Sequence, residues 1–233
     1  MIKAVFLDFY NTICYFVPPR DERQALACRK CGVEVSPKAL WHAYVAAEDY
    51  WTEENGRDPL SRRSPEDLEA FYARYEQFLL QQAGVDVSLE LALQIYHHYS
   101  QSDRRLATFA DVRPTIAEIK RRGLVVGLIS NIDRDVGLLC AELGVSEDFD
   151  FMLSSCNVGF EKPDPRIFRL ALERAGVAPA EAIHVGDQYK SDVLGAEAVG
   201  IKALLLDRYG TLAHIDGCTH ISSLTEIIPH LEG

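Results

Sequence analysis

Two kinds of hydrophobic pattern divide the chain. After Asp103 short apolar runs alternate with amphipathic stretches. Leu124 to Ile129 is continuously apolar, as a strand buried on both faces should be. Phe151 to Ser154, Ile183 to Val185 and Ala203 to Leu206 read as further strands. Between them Pro114 to Arg122, Arg134 to Leu143, Pro165 to Ala175 and Ser191 to Val199 read as helices, closed by Gly123, Gly144, Gly176 and Gly200. Lys3 to Leu7 is one more strand, isolated at the start. This alternation predicts an α/β fold with a parallel sheet and helices on both faces.

The stretch between the first strand and this region has a different rhythm. Glu22 to Cys31, Pro37 to Glu53, Pro65 to Gln82 and Leu89 to Ser100 all follow a helical period. Ser36-Pro37 and Ser64-Pro65 each supply an N-cap and a proline at the first helical position. Trp41, Tyr44, Val45, Tyr50 and Trp51, with Phe71, Tyr72 and Tyr75, form an aromatic-rich set at helical spacing, which reads as the core of a bundle. The predicted organisation is a core of residues 1–14 and 105–233, interrupted by an all-helical insertion of residues 15–104. No internal repeat or low-complexity segment is evident.

Composition narrows the partners. The 233 residues carry a net charge of -11, a field that repels nucleic acid and anionic membranes. The same field repels an anionic substrate, which therefore needs a local cation or a metal. No stretch resembles a transmembrane span, and Met1 leads almost directly into the first strand. The expectation is a cytoplasmic protein without a signal peptide, acting on a small molecule. The aromatic insertion permits a homodimer as well as a monomer. Cys14, Cys28, Cys31, Cys140, Cys156 and Cys218 read as free thiols, mostly buried. Cys28 and Cys31 form a CxxC pair, but no second pair completes a zinc site, so two helix cysteines one turn apart is the favoured reading.

Ligands of open α/β sheets bind at the carboxyl ends of the strands, and here those ends are polar. The first strand ends at Asp8, the second at Ser130-Asn131 and the fourth at Gly186-Asp187, while Lys162 lies in "GFEKPDP" between the third strand and its helix. Two carboxylates, a hydroxyl and an ammonium thus share one rim.

"LDFYNT", "LISN", "EKPDP" and "GDQYKSD" resemble, in order, the four motifs of the haloacid dehalogenase-like hydrolase superfamily. The resemblance covers the whole chain and implies a Rossmann-like core with an inserted helical C1 cap. It implies Asp8 as a nucleophile that forms an aspartyl intermediate. Lys162 then offsets the repulsion between Asp8 and an anionic substrate, and Ser130 and Asn131 bind the substrate. Mg²⁺ is implied as cofactor, with Asp8, the Tyr10 carbonyl and Asp187 as ligands. Asp192 resembles a supporting acid that either binds the metal through water or holds Lys162. Thr12 resembles the hydroxyl that positions Asp8.

Tyr10 complicates this picture. The family's ordinary phosphatases carry a second aspartate there, which protonates the leaving group and later activates water. A phenol near pKa 10 can donate a proton but is a poor base at pH 7. Tyrosine here is what the family's 2-haloacid dehalogenases carry. Those enzymes, however, lack the metal-binding aspartate kept here as Asp187, and have a tyrosine where this chain has Phe168. They also hold the substrate carboxylate with an arginine. Arg20 and Arg23 are the candidates, although "PPRDER" reads equally as a solvated stretch. A Mg²⁺-dependent phosphatase on a small phosphate monoester is favoured. A 2-haloacid dehalogenase and a low-activity binding or regulatory protein remain the alternatives.

Overall fold

A computed structural model of the chain describes residues 1–232, the side chain of Ser61 excepted. The chain forms two units, Met1–Tyr15 with Leu106–Gly233, and Phe16–Arg105. The first is built on a six-stranded parallel sheet. In spatial order its strands are Phe151–Ser154 (β5), Val125–Ser130 (β4), Ala4–Leu7 (β1), Ala182–Gly186 (β6), Lys202–Leu206 (β7) and Thr219–Ile221 (β8). The helices Val112–Arg121 (α5), Val136–Glu142 (α6) and Pro165–Ala175 (α8) accompany it, with a short turn of helix, Ser155–Val158 (α7), after β5.

β1 is central, and Ala4, Val5, Phe6 and Leu7 are all fully buried. Successive side chains of a strand point to opposite faces, and β1 divides accordingly. Val5 and Leu7 join Ile116 and Ile119 of α5 and Leu139 of α6 in one cluster. Ala4 and Phe6 join Ile167, Phe168, Ala171 and Leu172 of α8 in the other. Leu7 stands in register with Leu128 on one side and Val185 on the other. The residues just beyond these three positions therefore emerge together.

Some elements differ from the sequence expectation. Ser191–Val199 is not one α-helix. A π-helical turn, Tyr189–Leu194, leads into a short helix, Gly195–Glu197 (α9). Two short strands, Cys14–Val17 (β2) and Arg105–Thr108 (β3), pair where the chain leaves the first unit and returns. At four residues each, they offer no periodicity to read. β8 and the 3₁₀ segment Leu224–Leu231 also lacked a signal. Of the six cysteines, Cys14, Cys28 and Cys140 are buried, while Cys156 is exposed. Among the described residues no helix is long and apolar enough to cross a membrane.

The second unit contains helices Arg20–Lys30 (α1), Pro37–Arg57 (α2), Pro65–Gln82 (α3) and Leu89–Ser100 (α4). Ser36, Ser64 and Ser88 cap α2, α3 and α4 by accepting backbone N–H bonds, each at 3.2 Å. Trp51 packs edge-on to Phe71 and Tyr75, and Tyr72 stacks on Tyr96 at 4.2 Å. A polar group sits inside this bundle. Glu76 is 1% exposed. Its carboxyl accepts from Gln24, whose amide oxygen in turn accepts from the Tyr44 hydroxyl.

Burial pushes the Glu76 carboxyl up to about 8 from 4.5, so it is neutral at pH 7. Between these two values the unfolded chain has lost a proton that the folded chain keeps. Stability therefore falls as pH rises through this window, and levels off above it. Glu76→Gln keeps an acceptor for Gln24 and removes the titration. Melting curves between pH 5 and pH 9 should show little difference at pH 5 and a Tm advantage for the variant that grows towards pH 8. Parallel curves for the two proteins would show that Glu76 is ionised in the folded state.

Candidate active site

β1 is a central strand, paired on both sides and packed on both faces, and Asp8 follows it directly. The Asp8 amide donates to Val185 O at 2.9 Å, which fixes the start of the loop. Lys162 Nζ reaches Asp8 Oδ1 at 2.6 Å and Asp192 Oδ1 at 2.6 Å. Lys162 arrives there because Asn131, just past β4, pairs with its backbone. The Asn131 amide nitrogen donates to Lys162 O and the Lys162 amide donates to Asn131 Oδ1, both at 2.7 Å. Lys162 is 3% exposed and Asp192 1%, so this is a buried ionic group.

Asp192 is enclosed further. His184 Nε2 lies 3.0 Å from Asp192 Oδ1, and the Gln188 amide donates to Oδ2 at 3.0 Å. Burial pushes the His184 pKa down, so the ring is neutral and Nε2 carries the proton. Phe168 of α8 packs edge-on against this ring at 5.2 Å. The backbone beside Asp192 must be bare. A Cβ on Gly186 would lie 2.1 Å from Asp192 Cγ, and one on Gly195 would lie 2.8 Å from the Phe168 ring. The π-helical turn is thus the backbone path that brings Asp192 back over Gly186, and π-turns concentrate at functional sites.

The charges are unequal in their effect. Burial pushes the Asp8 carboxyl up to about 6, against the attraction of Lys162. Burial also opposes ionisation of Asp192, but Lys162 and His184 more than offset it and hold that carboxyl well below the ordinary range. Burial lowers the Lys162 pKa, and Asp192 and Asp8 outweigh this and leave it raised. Lys162 is therefore an ammonium throughout the neutral range.

Asp187 completes the group. Oxygens of Asp8, Asp187 and Asp192 lie within 4.8 Å of one another. Three carboxylates around one ammonium leave excess negative charge, and anionic oxygens are the donors that a hard divalent cation takes. The residues present therefore fit a divalent cation. Asn11 holds Asp187 by donating its amide to Oδ2 at 2.9 Å. It does so from a left-handed backbone, φ 56°, which asparagine tolerates better than most residues.

The structure separates the expected site residues by what they touch. Asp8, Lys162, Asp187 and Asp192 come together. Ser130 is buried at the end of β4. Asn131, expected to bind substrate, uses its amide on the Lys162 backbone. Thr12 is fully buried, and its hydroxyl has no hydrogen-bond partner among the described residues; it does not bond Asp8. The Tyr10 ring packs edge-on against Phe9 at 5.0 Å. Arg20 and Arg23 lie in the helical unit, where Arg20 is half-buried and Arg23 is buried rather than solvated. Arg20 pairs with Glu48 and lies 3.9 Å from the centre of the Tyr44 ring. Arg23 is 3% exposed, donates Nε–H to Ser102 Oγ at 2.8 Å and lies over Tyr99. Sequence reasoning missed His184 and Asn11. A histidine inside the apolar run Ile183–Val185 was the available signal for the first.

Residues 2–200 match the family described as haloacid dehalogenase-like hydrolase. The chain belongs to that family and is a hydrolase. It is 32% identical to a phosphoserine phosphatase of Thermus thermophilus, over 89% of this chain and 89% of that one. Solved structures share its fold, among them the following two. A HAD phosphatase from Thermococcus onnurineus has 26% identity and a TM-score of 0.59, covering 100% of this chain and 99% of the other. A 2-haloacid dehalogenase from Pseudomonas syringae has 27% identity and a TM-score of 0.58, covering 99% and 98%. Fold alone does not separate the two chemistries.

The bare backbone at Gly186 gives a direct check on the Asp192 arrangement. Gly186→Ala should displace the carboxylate that holds Lys162 and lower stability by about 1–3 kcal/mol, the usual cost of overpacking a tight interior. Thermal or urea denaturation reads this. A variant as stable as the parent would mean that Asp192 has another place to go.

Proposed function

We propose that the protein is a Mg²⁺-dependent phosphatase that hydrolyses a small phosphate monoester through an aspartyl-phosphate at Asp8. The observation that carries this reading is the retention of Asp187 beside Asp8, held by Asn11, in a group with more negative charge than Lys162 offsets. The phosphoserine phosphatase of Thermus thermophilus supports it by similarity. The helical unit is read as the cap that selects the substrate.

In this reading an Asp8 oxygen attacks phosphorus, the P–O ester bond breaks, and the leaving alkoxide takes a proton from the Tyr10 phenol or from water. Water then attacks the phosphorus of the aspartyl-phosphate, releasing inorganic phosphate and regenerating the Asp8 carboxylate. Lys162 lowers the repulsion between Asp8 and the incoming phosphoryl oxygens, and Ser130 offers its hydroxyl and backbone amide to them. Asp192 acts by holding Lys162, since its two oxygens already accept from Lys162, His184 and the Gln188 amide. Mg²⁺, held by Asp8, Asp187 and the Tyr10 carbonyl, would neutralise charge at the nucleophile and the phosphoryl group. Tyr10 supplies no carboxylate base, so proton transfer is the weak point of this site.

Tyr10 also favours a second reading, 2-haloacid dehalogenation, for which the Pseudomonas syringae structure is a precedent in fold. There an Asp8 oxygen displaces halide from carbon, and water hydrolyses the resulting ester. Halide needs no proton, so a tyrosine in place of the aspartate costs that reaction nothing.

The two readings separate on one assay plate. Phosphatase action predicts Mg²⁺-dependent turnover of p-nitrophenyl phosphate that EDTA abolishes, and no chloride from 2-chloropropionate. Asp8→Asn should reduce turnover to background while leaving Tm close to that of the parent. Chloride release in EDTA without phosphate hydrolysis would replace the first reading by the second.

A poor proton donor hurts most where the leaving group is basic. Aryl phosphate should therefore be turned over measurably and simple sugar phosphates much more slowly. Tyr10→Asp should raise turnover, with the larger gain on the alkyl ester, towards the about 10²–10⁴-fold that positioned acid–base groups supply. Equal effects on both esters would show that leaving-group protonation is not what Tyr10 limits.

A further inference from the structure

Beyond the motifs, one largely buried cation is tied to the nucleophile's loop. Arg208 lies just past β7, and its side chain is 9% exposed. Its Nε donates to Asn11 O at 3.2 Å, and one terminal nitrogen donates to Thr12 O at 2.7 Å. The same guanidinium grips Asp111 with both terminal nitrogens, at 2.9 and 3.1 Å, over the Phe109 ring at 3.8 Å. Asp111 is itself fixed, accepting from Ser223 Oγ at 2.8 Å and from the Leu224 amide at 2.9 Å. Burial opposes its ionisation, but Arg208, the Leu224 amide and Ser223 outweigh this and hold its carboxyl below the ordinary range. The clamp is therefore charged on both sides at neutral pH.

The two carbonyls that it grips follow Tyr10 directly. They belong to a turn that reverses sharply, with Ile13 and Cys14 amides donating to Phe9 O and the Asn11 amide donating to Cys14 O. Asn11, at its left-handed corner, carries the amide that holds Asp187. Asp111, Arg208, Asn11 and Asp187 thus form one chain of contacts, running from the start of α5 to the carboxylate beside the nucleophile.

We propose that Arg208 is a positioning residue. Clamped by Asp111, it fixes the Asn11–Thr12 backbone, and through it the Tyr10 carbonyl and the Asn11 grip on Asp187. The role at the metal rests on the phosphatase reading; the clamp on the turn does not. A planar guanidinium makes these four bonds, two to carbonyls and two to a carboxylate, from one fixed fork, whereas an ammonium has three donors at a single point.

The test compares the parent with Arg208→Gln, Arg208→Lys and Asp111→Asn, all well below their Tm. Hydrogen–deuterium exchange of peptides covering residues 6–15 should rise at least tenfold in Arg208→Gln, with β4 and β6 protected as in the parent. Mg²⁺ affinity by calorimetry should fall at least tenfold, and kcat on p-nitrophenyl phosphate should fall with KM within about twofold. Arg208→Lys should recover most of the Tm but not the exchange protection or kcat. Asp111→Asn, which keeps Arg208 and loosens its anchor, should fall between. Unchanged exchange at the turn in a folded Arg208→Gln protein overturns the proposal. So does full recovery of kcat by lysine, which would leave only a charge in the fold. If the parent neither binds Mg²⁺ nor hydrolyses phosphate, the phosphatase reading fails by itself, and the exchange experiment still decides the clamp.

Discussion

The ammonium of Lys162, shared between Asp8 and Asp192, is the contact on which the rest of this site is arranged. Placing three charges out of water is costly, and it is tolerated only when geometry and further hydrogen bonds are good. The chain meets that condition from every side. Asn131 fixes the lysine's backbone, His184 and the Gln188 amide complete Asp192, and Gly186 and Gly195 leave the room that Asp192 and Phe168 need. None of these supporting groups has to touch a substrate. Their work is to keep one charge at one place, which is the condition for electrostatic catalysis without reorganisation.

This arrangement explains an asymmetry between two buried carboxylates that share a lysine. Asp192 is wrapped in donors and stays ionised, whereas Asp8, with less support, has its carboxyl pushed up to about 6. The enclosure of one acid and the relative neglect of the other thus leave two carboxylates on one lysine with different proton affinities.

Most of the parallel sheet was legible in the sequence because its strands are apolar on both faces and its helices end at glycines. The tip residues Asp8, Lys162 and Asp187 were legible because strand ends in such sheets gather at one rim. The rest lacked a local signature. β2 and β3 are short and pair with each other across the whole inserted unit. The π-helical turn depends on where the Asp192 carboxylate must lie against Gly186, a relation between residues that no helical period records. Asn131 and Arg208 act on backbone atoms, 31 and 196 or 197 positions away in sequence, and backbone partners leave no trace in residue identity. Tyr10 was visible as a departure from the family's phosphatase motif.

The placement of β1 has a consequence for how the molecule comes to exist. Ala4 must find Val125 on one side and Ala182 on the other, yet all of the helical unit, Phe16–Arg105, is synthesised between Ala4 and either partner. The helices α1 to α4 make mostly neighbouring contacts, which form fast, while the pairings of β1 close very long loops, which form slowly. On a ribosome the helical unit can therefore be complete while β1 is still an unpaired apolar segment. Such a segment is prone to wrong partners. Asp8 and its contact with Lys162 thus follow the strand that waits longest for its place.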